Sequence, residues 1–478
     1  MDEKIITGKI LKSRGWPEGK VIGLAKAAGE LLMADGADRD AALQRLDAVL
    51  AEPGEFLADA VLAEVARECL RRAVVEVARQ DDELRAEPLP YTTWGAEGID
   101  AAASTQMRNA LRLPVAVAGA LMPDAHVGYG LPIGGVLATH DAVIPYAVGV
   151  DIACRMRLSI YPQSPHVLGQ RARQFEKALL DKTRFGTGCK WEFNERPEHP
   201  VLDDPAWTAT RLLKSLHSRA AEQLGTSGTG NHFVEWGSVT LDRDAPELGL
   251  EAGQYLALLS HSGSRGVGFK IANEYSKLAM SLHPTLAQSV RHLAWLPLES
   301  EAGQEYWLSM ELAGRFASAN HAVIHKSVAR AAGVEELAAV ENHHNFAWRE
   351  KLADGSIAIV HRKGATPAGH GVLGVIPGSM ADAGYIVRGK GVASSINSAS
   401  HGAGRKMSRR GALGCITKPM RDRYLHERGV TLLGGGLDEA PMAYKDIESV
   451  VAAQRDLVDI IAKFTPRIVR MADEPGQV

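Results

Sequence analysis

The sequence predicts a mixed α/β (α+β) fold with a small helical unit at its N-terminus. Three observations predict it. Up to about residue 85, apolar residues recur at three- and four-residue spacing, the period of one helix face. From about residue 90 the pattern changes to short β-like runs between glycine-rich turns. The later helical stretches do not alternate regularly with these runs, as a doubly wound parallel sheet would require.

In chain order, VIGLAKAAGELLMADG, DAALQRLDAVLAE and DAVLAEVARECLRRAVVEVARQ read as helices. Gly36 and Pro53-Gly54 punctuate them, and Pro88 and Pro90 end the segment. Residues 1–88 are therefore read as a helical accessory region and 89–478 as the catalytic domain. Within the latter, PVAVAGALM, IGGVLATHDAVI, CRMRLSIY, YLALLSHS, SIAIVHR and YIVRG read as strands. Helices are expected at 164–184, 205–224, 268–282 and 302–332. DIESVVAAQRDLVDIIAKF, near the end, is read as one more.

Composition narrows the function classes. At 45% hydrophobic the chain can bury a large core, yet no apolar run reaches the roughly 18 residues of a membrane span. The first residues lack the pattern of a signal peptide. Cys69, Cys154, Cys189 and Cys415 are scattered, which is no disulfide framework and points to a reducing cytoplasm. The net charge of -3 conceals an asymmetry: residues 361–430 hold 12 Lys/Arg against 3 Asp/Glu. Such an excess can attract phosphates, with Arg362, Lys363, Arg405, Arg409 and Arg410 as candidate contacts.

The chemistry concentrates in a few motifs. MPDAHVGYGLPIGGV carries Asp124, and PYAVGVDIAC carries Asp151 and Cys154. An Asp and a Cys three residues apart can face one point if the backbone between them bends. With histidines from elsewhere they make a divalent-metal site. GTSGTGNHFVE, SHSGSRG and ENHHN present histidines in Gly-, Ser- and Asn-rich loops after strand-like runs, where catalytic groups gather. Cys with His favours zinc or another late metal, and carboxylate favours manganese or magnesium. Two ions sharing a ligand would suit phosphoryl or nucleotidyl transfer. In HGAGRKMSRR, His401 has almost no neighbouring side chains, so a large group can reach its ring. An uncharged imidazole is a competent nucleophile toward phosphorus. His140, His166, His199, His217 and His426 lack such context and are read as ordinary.

Together with HRKGAT, IPGSM and EAPMAYKD, these segments occur in an order that resembles the RtcB family of RNA ligases, over about 122–446. The resemblance implies an RtcB-like catalytic fold. It implies an enzyme that joins 2′,3′-cyclic phosphate or 3′-phosphate RNA ends to 5′-hydroxyl ends in RNA repair or tRNA splicing, with GTP and two Mn²⁺ ions, zinc or cobalt being substitutes. By position, Asp151, Cys154, His232, His261 and His344 would hold the metals. His401 would be the guanylylated nucleophile, with Asp124 close by. Asn231, Phe233, Glu235, Asn345, Pro377, Gly378, Ser379, Met380, Gly402, Ala403 and Gly404 would line the guanylate pocket. An activating protein partner is compatible with the resemblance, and no membrane is implied.

The chain also departs from that family's pattern. The usual C-terminal Lys-Gly is missing; Arg470 or Met471 falls there, and Arg470 is expected to replace the lysine. Gly384 precedes Tyr385 where a serine is usual. Arg155 follows Cys154 where glycine is common, and Ala319-Asn320-His321 stands for Ala-Asn-Arg. These departures motivate two competing readings. One is a metal-dependent phosphoesterase that opens cyclic phosphates without sealing. The other is a non-catalytic RNA- or ribosome-associated module.

Overall fold

The computed structural model describes residues 6–473 except 71 and 73–81. These residues form two compact units. One holds the chain up to Glu83 together with His283–Leu286, and the other holds the remainder.

The first unit is helical, with helices Gly8–Ser13, Lys20–Ala34 and Arg39–Ala51, and helical structure again at 63–70. Thr7 and Asp38 cap two of these helices, accepting from the amides of Ile10 and Ala41, which satisfies donors the helix itself leaves open. Leu11, Trp16, Val21, Leu32, Leu43, Leu46 and Val65 share its core. Most of RRAVVEVARQ, read as helix from the sequence, lies outside the described residues.

The second unit is built on two sheets. The first runs in the order Thr92–Thr93, Ala116–His126, Ile133–Thr139, Ile357–Lys363, Asn345–Lys351. The larger runs Leu373–Ile376, Gly384–Gly389, Val458–Met471, Phe233–Leu241, Gly253–Ser262, Arg155–Tyr161, Ala338–His343. Its two end strands come back together: the Val375 amide donates to Asn342 Oδ1 at 2.8 Å. Alternate residues then separate by face. Met156, Leu158, Leu259, Val239 and Phe464 fill one side. Val234, Trp236 and Leu258 pack on the other with Phe175, Ile324 and Val328, from helices Ala172–Lys182 and Glu301–Ala332.

Register places the functional end of this sheet. Met471, Phe233, His261, Met156 and Asn342 are successive partners across four strand pairs. Cys154 lies just before one of these strands, His232 just before another, and His344 just after a third. Strands of opposite direction thus deliver their termini to one edge.

Two expectations are corrected here. DIESVVAAQRDLVDIIAKF is helical only over Ile447–Ala452, and Val458–Met471 is a strand. That stretch sits between Gly384–Gly389 and Phe233–Leu241, so both its edges are hydrogen-bonded, and sheet pairing outweighs local helical spacing. The basic run is also misread in part. Arg362 is fully buried, its guanidinium paired with both Glu350 oxygens at 2.6 and 2.9 Å and donating to Ser398 Oγ at 2.8 Å. Lys363 is buried as well, and its ammonium donates to the carbonyls of Tyr129 and Tyr146. Arg405 and Arg409 are engaged by Glu439 and Asp438. Among the five named cations, Arg410 is the one left as an ordinary exposed residue.

Removing one partner of a buried pair strands the other. Arg362→Ala should therefore cost about 3–5 kcal/mol of unfolding free energy. Arg410→Ala should stay within about 0.5 kcal/mol. Urea unfolding of the two variants checks the contrast.

Candidate active site

The Asp151–Cys154 loop bends as the chemistry requires. Ala153 adopts a left-handed φ of 57°, unusual for a residue with a side chain. It is held there because its amide donates to the Asn345 carbonyl at 2.7 Å and the Cys154 amide to the Asp151 carbonyl at 3.1 Å. The carboxylate and the sulfur are thereby brought to one place.

Two overlapping groups of ligand atoms result: Cys154 with His261 and His344, and Cys154 with Asp151 and His232. The sulfur lies 3.1 Å from His261 Nε2 and 3.5 Å from His232 Nε2. His261 and His344 present their Nε2 atoms to each other at 3.3 Å, and His232 Nε2 lies 3.0 Å from Asp151 Oδ2. The far nitrogens set the tautomers. His232 Nδ1 donates to the Ser227 carbonyl at 2.8 Å, and His261 Nδ1 to the Asn231 carbonyl at 3.0 Å. Both Nε2 atoms therefore offer lone pairs to the same sulfur, whose one proton can serve only one of them.

Electrostatics agree with this geometry. Burial holds His261 and His344 well below the ordinary imidazole range. Burial, then the Asp151 charge, pushes the Cys154 thiol well above its usual value. A buried knot of acceptors facing acceptors suits a cation, and the sulfur, nitrogen and oxygen donors suit a divalent metal. There is no room beside it for a larger residue at Gly263: an added Cβ would stand 2.3 Å from Asp151 Oδ1.

His401 borders this cluster. Its ring packs against that of His344, centroids 4.8 Å apart. Asp124, 0% exposed, receives both the His401 backbone amide at 3.1 Å and Nδ1 at 2.6 Å. Because Nδ1 gives its proton to the carboxylate, Nε2 keeps the lone pair. Gly404 makes this approach feasible, since a Cβ there would meet the Asp124 carbonyl at 2.1 Å, at a left-handed φ of 73°.

The remaining candidates lie around these two features. Pro377 runs beside the HGAGR turn, its carbonyl accepting from the Ala403 amide at 3.0 Å, with Gly378 and Ser379 following. Gly402 abuts the same carbonyl. Met380 packs with Val469, Met471 and Phe233 into an apolar wall. On the same strand face as Phe233, Glu235 is buried with Oε2 unpartnered among the described residues, and burial raises its carboxyl well above the usual range. Asn345 is a brace: it donates to the Asp151 carbonyl at 3.3 Å and accepts from the Gly364 amide at 2.9 Å.

Arg470 does not join them. It pairs in register with Val234, while Met471 pairs with Phe233, so strand alternation puts Arg470 on the opposite face. There it donates to the Leu433 carbonyl at 2.8 Å and packs over the Phe185 ring. The expectation that Arg470 replaces a pocket lysine is corrected: Met471 occupies that face.

Comparison with known proteins shows the chain's family. A family model described as tRNA-splicing ligase RtcB matches residues 106–472. The chain belongs to the RtcB family. The RNA-splicing ligase RtcB1 of Escherichia coli is 33% identical over 406 residues, covering 79% of this chain and 96% of that protein. The tRNA-splicing ligase RtcB of Thermococcus kodakarensis is 30% identical over 72% of this chain and 86% of its own. The RNA-splicing ligase RtcB of Mycobacterium bovis is 31% identical over 76% and 98%.

Sequence reasoning missed several supports in this RtcB chain. Lys445 donates to the carbonyls of Pro123 and Ala125 at 3.0 and 2.8 Å, on either side of Asp124. His361, in HRKGAT, is a staple: its Nδ1 donates to the Leu137 carbonyl and its Nε2 accepts from the Ile144 amide at 2.9 Å. No spacing signal distinguishes such histidines from ligands; only the strand pairing that buries His361 does. Arg155 is offset by Glu341, which also accepts from Arg157 at 3.0 Å and Ser318 at 2.7 Å. No helix among the described residues is long and apolar enough to cross a membrane.

Gly263→Ala should keep the fold but displace the Asp151 carboxylate. Losing a ligand's support typically costs about 10–100-fold in metal affinity. Titration of the metal-stripped protein with Mn²⁺, read by calorimetry, checks this.

Proposed function

We propose that this protein is an RNA ligase that joins a 3′-phosphate or 2′,3′-cyclic phosphate end to a 5′-hydroxyl end, with GTP and two Mn²⁺ ions. The observation that carries the reading is His401: one nitrogen is fixed by a buried carboxylate, and its ring lies against a ligand cluster. A phosphoesterase has no task for this pair, and a non-catalytic module has none for the cluster. The names of the relatives support RNA sealing. The unpaired cysteines suit a cytoplasmic protein, and an activating partner protein is compatible with this reading.

Asp151, Cys154, His232, His261 and His344 would hold the ions, which when bound draw charge from phosphate oxygens and keep Cys154 as thiolate. The His401 Nε2 lone pair attacks the α-phosphorus of GTP. An N–P bond forms, the bond to the bridging oxygen breaks, and pyrophosphate leaves. Asp124 stabilises the positive imidazole ring this creates. An oxygen of the RNA 3′-phosphate then displaces the histidine, which recovers its lone pair. Finally the 5′-hydroxyl attacks that 3′-phosphorus, loses its proton, and GMP departs. A cyclic phosphate must first take up water to give the 3′-phosphate. Phe233, Glu235, Ser379, Met380 and the Gly402–Gly404 turn are the residues we assign to the guanylate.

Incubation with GTP and Mn²⁺ should raise the intact mass by one GMP, mapped to His401 in a digest. His401→Ala should keep its metal yet take up no GMP and seal no ends. It should still join an RNA supplied with a pre-formed 3′-guanylylated end. Cys154→Ala should lose metal and sealing together. GMP found on a lysine would overturn this mechanism.

Asp124→Asn tests the tautomer argument separately. The amide no longer fixes the Nδ1 proton, so guanylylation should slow by roughly 10²–10⁴-fold while metal content stays the same. Single-turnover GMP transfer measures it.

A further inference from the structure

We propose that Tyr129, His292 and Tyr146 form a stacking platform for a base of the RNA strand that enters the His401 site. This rests on the ligase reading above. Three separate segments supply the rings: the loop after strand Ala116–His126, the short helix Pro145–Val148 and the turn Arg291–Leu293. His292 lies 5.0 Å from Tyr146 and edge-on to Tyr129 at 6.4 Å, centroid to centroid. Tyr129 is 72% exposed and neighbouring Val127 51%. A large ring held in water at the end of the strand that carries Asp124 calls for an explanation.

Tyr129 and His292 are exposed and Tyr146 is half-buried, but the backbone beneath them is fixed. The buried Lys363 ammonium ties the Tyr129 and Tyr146 carbonyls to one point. The loop also packs on the His292 turn, where a Cβ on Gly130 would meet His292 Cβ at 3.3 Å. The next residue after that lysine, Gly364, abuts His401: a Cβ there would stand 3.1 Å from the ring's Cε1. A single strand end therefore braces both the nucleophile and the platform.

The chemistry favours a nucleobase as occupant. Flat aromatic faces stack on any base, which suits an enzyme whose substrates share their end groups rather than a sequence. Arg291, exposed beside His292, offers charge to the adjoining phosphate. Single-stranded ends present unstacked bases to such a surface.

The test uses the full-length protein and a short 3′-phosphate RNA with 2-aminopurine near its end. Tyr129→Ala should weaken RNA binding by about tenfold, relieve the fluorescence quenching seen with wild type, and raise KM for RNA more than it lowers kcat. Tyr129→Phe, which keeps the ring, should restore all three. The salt dependence of binding should keep its slope in both variants, because stacking neutralises no phosphate. Equal RNA affinity and quenching in wild type and Tyr129→Ala would overturn the platform, as would a changed salt slope. Tight binding of a protein partner that Tyr129→Ala abolishes, with RNA binding intact, would overturn it too. Failure of the wild type to take up GMP would instead count against the ligase reading alone, since the fluorescence measurement needs no catalysis.

Discussion

The catalytic unit is organised around one unfavourable arrangement: lone pairs that point at lone pairs. Cys154 Sγ faces two imidazole nitrogens whose protons are committed elsewhere, to the carbonyls of Ser227 and Asn231. Left alone, such a knot works against folding, because the single thiol proton cannot serve both nitrogens and a buried acceptor is left without a donor. Its surroundings must therefore hold it rigidly. The opposed strands do this by ending together, and the left-handed Ala153 does it by turning the loop between two hydrogen bonds. The frustration is local, and it is what makes the site ready for cations.

His401 stands outside that arrangement for a chemical reason. A metal-bound imidazole has spent its lone pair, so a nucleophile beside the cluster must be kept from joining it. Asp124 does this by taking Nδ1 and the backbone amide of the same residue. Ring direction and tautomer are then both set. Lys445 fixes the carbonyls on either side of Asp124, so the carboxylate itself has little freedom. On the proposed mechanism the pair is a positioned nucleophile, while Asp151, Cys154, His232, His261 and His344 form a buried set of donor atoms that would suit cations.

Much of this was legible in the sequence because the chemistry needs unusual residues in glycine-rich runs. Asp151, Cys154, His232, His261 and His344 could be picked out, and the structure brings them within 4.8 Å in two groups. Strands near the glycine turns were also legible. What was not legible depends on partners distant in sequence. Val458–Met471 carries helix-like spacing and becomes a strand because both its neighbours pair with it. Charge was misleading for the same reason: Arg362 reads as a surface cation until Glu350 and Ser398 are seen around it. Arg470 and Met471 differ by one residue in sequence, yet that single step selects the face of the sheet.

His321 stands where the family resemblance leads one to expect arginine, and its surroundings show how a histidine is held there. Glu336 accepts a proton bond from Ser159, so the Ser159 oxygen must accept from His325 Nδ1, which lies 2.6 Å away. Burial keeps His325 neutral by holding it well below the usual range, so its Nε2 accepts from the Ser260 hydroxyl at 2.7 Å. The Ser260 oxygen then accepts from His321 Nδ1 at 2.7 Å. Each direction is forced by the anion at one end, and burial keeps both imidazoles of this relay uncharged. It fastens helix Glu301–Ala332 to the residue preceding His261. One residue before His321, Asn320 accepts from the Gly225 amide at 2.7 Å and donates to the Thr226 carbonyl at 3.0 Å, on the loop that leads to His232. One helix thus aligns His232 and His261, two of the candidate ligands, through two polar contacts. Histidine at 321 serves because Ser260 gives it a neutral partner, where a guanidinium would require a buried anion in the same place.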